Sequence, residues 1–252
     1  MLRIFLFLCL GGLGLAQVPA TLRAHHPQPD SLKPMDGRPE LIYVYDALCG
    51  WCFAFSPVMQ QVEQTYGDRL NIQVINGGLR TGTSVEPISS MASYILQAYK
   101  RVEEMSGVRF GEPFLNGTLK KGTMRLDSEP FARAMAIVRE RKPEQALAFA
   151  RLLHKLIYID GVDPLTDAAY APYAEQVGVP QGEFLAAMAE PRYRDMAQAD
   201  FQLAQQLGAT GFPALFVKLE GKLYRLTNGY VSYSELQPTL EEVLHRAATP
   251  AR

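Results

Sequence analysis

Cysteine is nearly missing from this sequence. There are three in 252 residues, at positions 9, 49 and 52. That scarcity excludes a disulfide-stapled scaffold, so the core must be held by apolar burial. An excess of charge of one sign is also lacking. Lys and Arg total 25 against 26 Asp and Glu, a formal net charge of −1. Nothing in that balance points to nucleic acid or to an anionic membrane. Internal repeats and low-complexity tracts are absent from the sequence. What remains is 48% hydrophobic and 20% charged residues, the composition of a soluble globular protein. The length suits one domain, or one domain carrying a large insertion.

Metal ligands are sparse as well. Zinc wants four, and the chain has no second C-x-x-C and no H-x-x-x-H. Beyond Cys49 and Cys52 the candidates are His25, His26, His154, His245 and carboxylates. No metal site is therefore expected. His25 and His26 read as solvated, and His154 and His245 as surface or packing residues on helices.

The first 16 residues read as a signal peptide. Arg3 supplies a positive start, and Ile4 to Leu15 is apolar but too short to span a bilayer comfortably. Gly14-Leu15-Ala16 offers a small-residue cleavage site before Gln17. The competing reading is an uncleaved anchor. A lipoprotein signal fits poorly, because Leu8 precedes Cys9 where a small residue belongs. Cleavage leaves two cysteines and places the protein outside the cytoplasm, in a periplasmic or extracellular setting. Residues 17–39 carry five prolines among polar residues and read as an extended linker.

From residue 40 the hydrophobic pattern changes. Leu41 to Tyr45 reads as a buried strand, about Phe53 to Tyr66 as a helix interrupted by Pro57, and Asn71 to Ile75 as a second strand ending at Asn76-Gly77-Gly78. Strand, helix and strand in so short a span make a βαβ unit with parallel strands. Helical spacing then runs from about 86 to 208, with helices at 87–105, 128–141, 143–159, 165–177, 181–189 and 192–207. Asp127, and Asp163 or Thr166, are candidate N-caps; Gly161, Gly178 and Gly208 are candidate stops. Strands return at 214–217 and 223–226 around a turn at Glu220-Gly221, and a helix at about 232–245 closes the chain. The pattern predicts an α/β fold whose halves, 40–83 and 209–247, flank a helical insertion at 84–208.

Cys49-Gly50-Trp51-Cys52 falls between the first strand and the first helix. A helix N-terminus carries partial positive charge and unpaired N–H groups, and both favour a thiolate on the first cysteine. Two intervening residues let the second sulfur close a small ring with the first. Such a bridge closes almost no loop entropy and is a poor staple, so the pair is suited to cycling between dithiol and disulfide.

With that motif, the insertion, and Thr210-Gly211-Phe212-Pro213 leading into a strand, the chain resembles the thioredoxin superfamily, and within it the DsbA-like thiol-disulfide oxidoreductases. The resemblance spans about residues 40 to 247. The stretch from Tyr45 to Phe53, with Asp46 three residues before Cys49, is similar to a branch described as candidate disulfide isomerases. It implies a thioredoxin fold, Cys49 as nucleophile, Cys52 as buried resolving thiol, and a cis bond at Pro213 beside the dithiol. Trp51 is expected to be exposed and, with the Phe212 backbone and Pro213, to bind substrate. Asp46 is a candidate for proton transfer, or equally a turn residue. Tyr43 stands where thioredoxins keep a buried acid.

The implied activity is formation or isomerisation of disulfides in cysteine-containing protein or peptide substrates. It needs no cofactor, but a redox partner must reset the pair. A monomer is expected, because about 22 residues between Ala16 and the first strand are too few for a dimerisation domain. The competing reading is a non-catalytic thiol module that handles copper or binds peptides. Asn116-Gly117-Thr118 is a glycosylation sequon.

Overall fold

The computed structural model describes residues 38–219 and 221–248, with the backbone of Ala24–His25. The signal segment 1–16, most of the linker 17–39, Cys9, His26 and Glu220 lie outside the described residues. In chain order the elements are β1 (Ala24–His25), β2 (Glu40–Tyr45), α1 (Gly50–Tyr66), β3 (Asn71–Asn76), β4 (Glu86–Pro87), α2 (Ala92–Ser106), α3 (Leu119–Lys121) and β5 (Arg125–Leu126). They continue with α4 (Ser128–Arg141), α5 (Ala146–Tyr158), α6 (Ala171–Glu175), α7 (Gln181–Met188), α8 (Pro191–Gln206), β6 (Ala214–Leu219), β7 (Lys222–Asn228) and α9 (Tyr233–Ala248).

The central sheet has the order β1-β7-β6-β2-β3. β2 and β3 run parallel, and the other pairings are antiparallel. β2 is buried along its whole length because helices cover both sheet faces. Successive strand side chains point to opposite faces. Leu41, Tyr43 and Tyr45 therefore pack with Met59 and Val62 of α1 and with Leu236 and Leu240 of α9. Ile42 and Val44 pack on the other face with Leu203 and Ala204 of α8, and with Leu207 just beyond it. Each such side chain contributes about 2 kcal/mol through burial, so a one-residue slip of β2 would expose one whole set. The Tyr66 hydroxyl donates to Glu241 at 2.8 Å and ties α1 to α9.

This is the expected fold class: a mixed α/β sheet whose βαβ and ββα parts are separated in sequence by a run of helices. Several local readings need correction. α1 begins at Gly50, not near Phe53, which puts Trp51 and Cys52 in its first turn. The stretch read as one helix from 87 starts instead as strand β4, then a tight 3₁₀ turn over Ile88–Met91, and only then α2. β4 pairs with β5 in a separate two-stranded ladder; strands of two residues are too short to show a period. Pro113–Thr118 forms a π-helical turn that the sequence pattern did not suggest. Asp127 caps α4, accepting from Glu129 N at 3.1 Å. Thr166 precedes only a short 3₁₀ turn and makes no side-chain cap bond. Gly161, Gly178 and Gly208 all adopt positive φ, the left-handed conformation that stops helices cheaply only at glycine.

Candidate functional site

The end of β2 and the start of α1 are joined by a turn of four residues, Asp46 to Cys49. Cys49 is the N-cap of α1, with extended backbone at φ −91° and ψ 110°. Its carbonyl accepts from Cys52 N at 2.9 Å and Phe53 N at 3.1 Å, and its own N–H donates to the Asp46 carbonyl at 3.1 Å. Both cysteines are free thiols.

The two thiols differ in access. Cys49 retains 9% of its surface and Cys52 none. Burial first, then the hydrogen bond to and the charge of Cys49, push the Cys52 thiol well above the ordinary range. The Cys49 sulfur lies 3.5 Å from the carbonyl oxygen of Phe212, and the Phe212–Pro213 peptide bond is cis. The structure thus brings Cys49, Cys52, Phe212 and Pro213 together across a separation of 163 residues. The Phe212 ring lies over Gly77, where a Cβ would come within 2.2 Å of it. A glycine at 77 is what lets this loop approach the end of β3.

Trp51 was expected to stand exposed; it is half-buried. Its ring packs 5.6 Å from that of Tyr230, in the segment after β7. It separates two depressions. One, of about 350 Å³, is apolar and lined by Cys49, Met91, Tyr94, Ile95, Tyr99 and Phe110 among others. Among the described residues, the one charged side chain on its wall is Arg80, which pairs with Glu86 at 3.0 Å. The other is more open, about 540 Å³, and runs past Phe212, Gly229 and Tyr230.

Asp46 is buried beneath the turn. One carboxylate oxygen accepts from Leu48 N at 3.0 Å and the other from Leu79 N at 2.8 Å. Burial raises its pKa despite those bonds, which act the other way. Its carboxylate is therefore engaged as a clamp between the C-x-x-C turn and the loop after β3. Tyr43 faces Cys52 from β2. Its hydroxyl lies beside that sulfur without hydrogen-bond geometry, and burial drives its pKa well upward.

Sequence reasoning missed His154. Of the two readings, surface or packing, the structure shows packing: His154 is wholly buried on α5, and what the sequence does not signal is its contact with the C-x-x-C turn. Its Nδ1 is 2.9 Å from Ser56 Oγ, and its Nε2 is 3.3 Å from the Asp46 carbonyl. Its ring is set edge-on to Tyr45 at 5.6 Å. Neither contact leaves a local signal in sequence, since they span 98 and 108 residues. His245 is exposed near the end of α9. No group of three or more His, Cys, Asp or Glu is gathered as a metal site among the described residues. Likewise, no helix among them is long and apolar enough to cross a membrane.

A thiol pair at a helix start, with the first residue lining a cavity and the second sealed beneath it, is a site for thiol-disulfide exchange. The chain belongs to the DSBA-like thioredoxin domain family, whose model matches residues 40–241. It is similar in structure to a candidate protein disulfide isomerase from Nitrosomonas europaea, with 27% identity, a TM-score of 0.74, and coverage of 83% of this chain and 98% of that one. The cytosolic disulfide reductase DsbM from Pseudomonas aeruginosa shares the fold at 24% identity and a TM-score of 0.68, covering 82% and 98% of the two chains. The oxidoreductase DsbA from Xylella fastidiosa shares it at 14% identity and a TM-score of 0.52, covering 86% and 90%. None of the curated proteins matches this sequence.

Two predictions follow from the geometry. Gly77→Ala drives a methyl into the Phe212 ring and shifts the loop beside Cys49. Reaction with a cysteine-containing peptide should slow about tenfold or more, as expected for a misplaced reacting centre, while circular dichroism stays native. An unchanged rate would show that the Phe212 loop does not position substrate. The second concerns pH. Burial lowers His154 from 6.5 to about 4. Between those values the unfolded chain binds a proton that the folded protein does not, so His154 makes stability fall as pH drops from about 6.5 towards 4, by up to about tenfold in the folding equilibrium per pH unit. Asp46, with its raised pKa, contributes with the opposite sign above the ordinary carboxylate range. Urea unfolding of parent and His154→Gln should give a flatter profile for the variant over this interval. Identical profiles would contradict a buried neutral imidazole.

Proposed function

We propose that this protein is exported and makes or rearranges disulfides in protein substrates, with Cys49 as the attacked and attacking sulfur and Cys52 as the resolving one. The carrying observation is the difference in burial between the two thiols, 9% against 0% exposed. A substrate sulfur can reach only the first. In the oxidising direction a substrate thiolate attacks Cys49 in the Cys49–Cys52 disulfide. A new S–S bond forms to Cys49, and Cys52 departs as a thiolate that takes up a proton. The substrate's second thiolate then attacks its own sulfur in the mixed disulfide and releases Cys49. Two electrons pass from substrate to enzyme, and a redox partner must remove them. In the isomerising direction the Cys49 thiolate attacks a non-native disulfide, and Cys52 frees the enzyme if the complex stalls.

Export rests on the signal-like residues 1–16. The substrate reading rests on the two depressions either side of Trp51. An extended peptide would cross Trp51, pair with the Phe212 backbone, and set an apolar side chain next to its cysteine into the apolar cavity. That cavity favours such a peptide over a small charged thiol, because Arg80, the one charged wall residue among those described, is already paired with Glu86.

The test is trapping. Cys52→Ser should accumulate mixed disulfides with reduced or scrambled protein substrates, resolved by non-reducing electrophoresis, and Cys49→Ser should accumulate none. Equal trapping by both variants would contradict the assignment.

A further inference from the structure

We infer that His154 is a positioning residue for the Cys49–Cys52 pair, acting as the neutral Nε2–H tautomer through the Asp46 carbonyl. The geometry fixes the tautomer. A carbonyl oxygen can only accept, so the nitrogen 3.3 Å from Asp46 O must carry the proton. Burial keeps the imidazole neutral near pH 7, since its pKa falls to about 4. Nδ1 is then an acceptor, and the Ser56 hydroxyl donates to it over 2.9 Å. Ser56 has one proton for two acceptors; the carbonyl of Cys52, at 3.2 Å, is the more distant.

The consequence lies at Asp46 O. That oxygen receives the N–H of Cys49 at 3.1 Å and the Nε2–H of His154 at 3.3 Å, which occupies both lone pairs. His154 thereby holds the oxygen on which the first cysteine is hung. Its second contact, Ser56, lies one helical turn past Cys52 on α1. One side chain of α5 therefore reaches the backbone before Cys49 and the helix behind Cys52. Aromatic contacts with Tyr45, Phe53 and Tyr158 lock the ring's orientation. Without the imidazole the turn loses the tie that keeps the Cys49 sulfur opposite the Phe212 carbonyl.

The inference uses the proposed function only in taking Cys49 as the attacking sulfur. Its test uses a small disulfide and glutathione, so it is independent of the protein substrate and of the direction of exchange. Gln places an N–H donor where Nε2 stands; Leu fills similar space without one. In the reduced full-length protein, His154→Leu should react with a small aromatic disulfide about tenfold more slowly than the parent, the effect of one lost buried hydrogen bond. Its equilibrium with glutathione should shift by about tenfold, or about 30 mV for a two-electron couple. His154→Gln should recover both to within about threefold. A role confined to packing would leave the Gln variant no better than the Leu variant, and that result overturns the inference. So does a folded Leu variant that matches the parent in both readouts. If His154→Leu does not fold, Ser56→Ala decides. Removal of the donor to Nδ1 should slow the reaction in the same direction, and a rate equal to the parent's overturns the inference. A parent protein that fails to react with the small disulfide would contradict the oxidoreductase reading as well.

Discussion

Everything at this site hangs on Asp46. Its two carboxylate oxygens accept the N–H groups of Leu48 and Leu79, and its carbonyl accepts those of Cys49 and His154. Four segments meet there: the end of β2, the start of α1, the loop after β3, and α5. A buried polar group without partners costs about 1–3 kcal/mol, so a residue answering four donors at once cannot be moved piecemeal. The carboxylate pays for its burial with two backbone bonds, and the turn is rigid as a result. That rigidity lets a helix begin abruptly at Gly50 with the first cysteine as its cap.

The second constraint is inequality. The two thiols of the pair are three residues apart in sequence yet sit in different media. Cys52 points into the core shared by β2 and α1, beside the Tyr43 hydroxyl, and burial makes its ionised form costly. Cys49 keeps a small accessible area, lines the apolar cavity with the half-buried Trp51, and faces the Phe212 carbonyl. On the proposed function, substrate arrives at Cys49 and Cys52 resolves from below. The apolar cavity beside Cys49 takes part of its wall from α2 and from the segment around Phe110. The run of helices between β3 and β6 therefore meets the site twice, as a cavity wall from α2 and through His154 of α5.

Much of this was legible in sequence because it is written locally. The C-x-x-C, the apolar runs of β2 and β3, the helical spacing that follows, and the turn glycines at 161, 178 and 208 each carry their meaning within a few residues. The order of elements then fixes the fold class. What was not legible depends on partners distant in the chain. His154 looks like any helical histidine until α5 is laid against α1. Trp51 was expected in solvent because nothing nearby in sequence announces Tyr230. Asp46 carried two equal readings, and only the position of Leu79 N shows its carboxylate occupied as a clamp. The need for glycine at 77 is set by Phe212, 135 positions later. β4, β5 and the π-helical turn escaped because they are too short or irregular for any period to reveal them.

The central claim is that the two sulfurs are chemically unequal because the fold leaves one partly accessible and seals the other. Limited alkylation reads this directly. Reduced protein is treated with substoichiometric iodoacetamide at neutral pH, digested, and the label is located by mass spectrometry. The account predicts label on Cys49 with Cys52 protected until the protein is unfolded in denaturant. Equal labelling of the two, or label on Cys52 first, would contradict it.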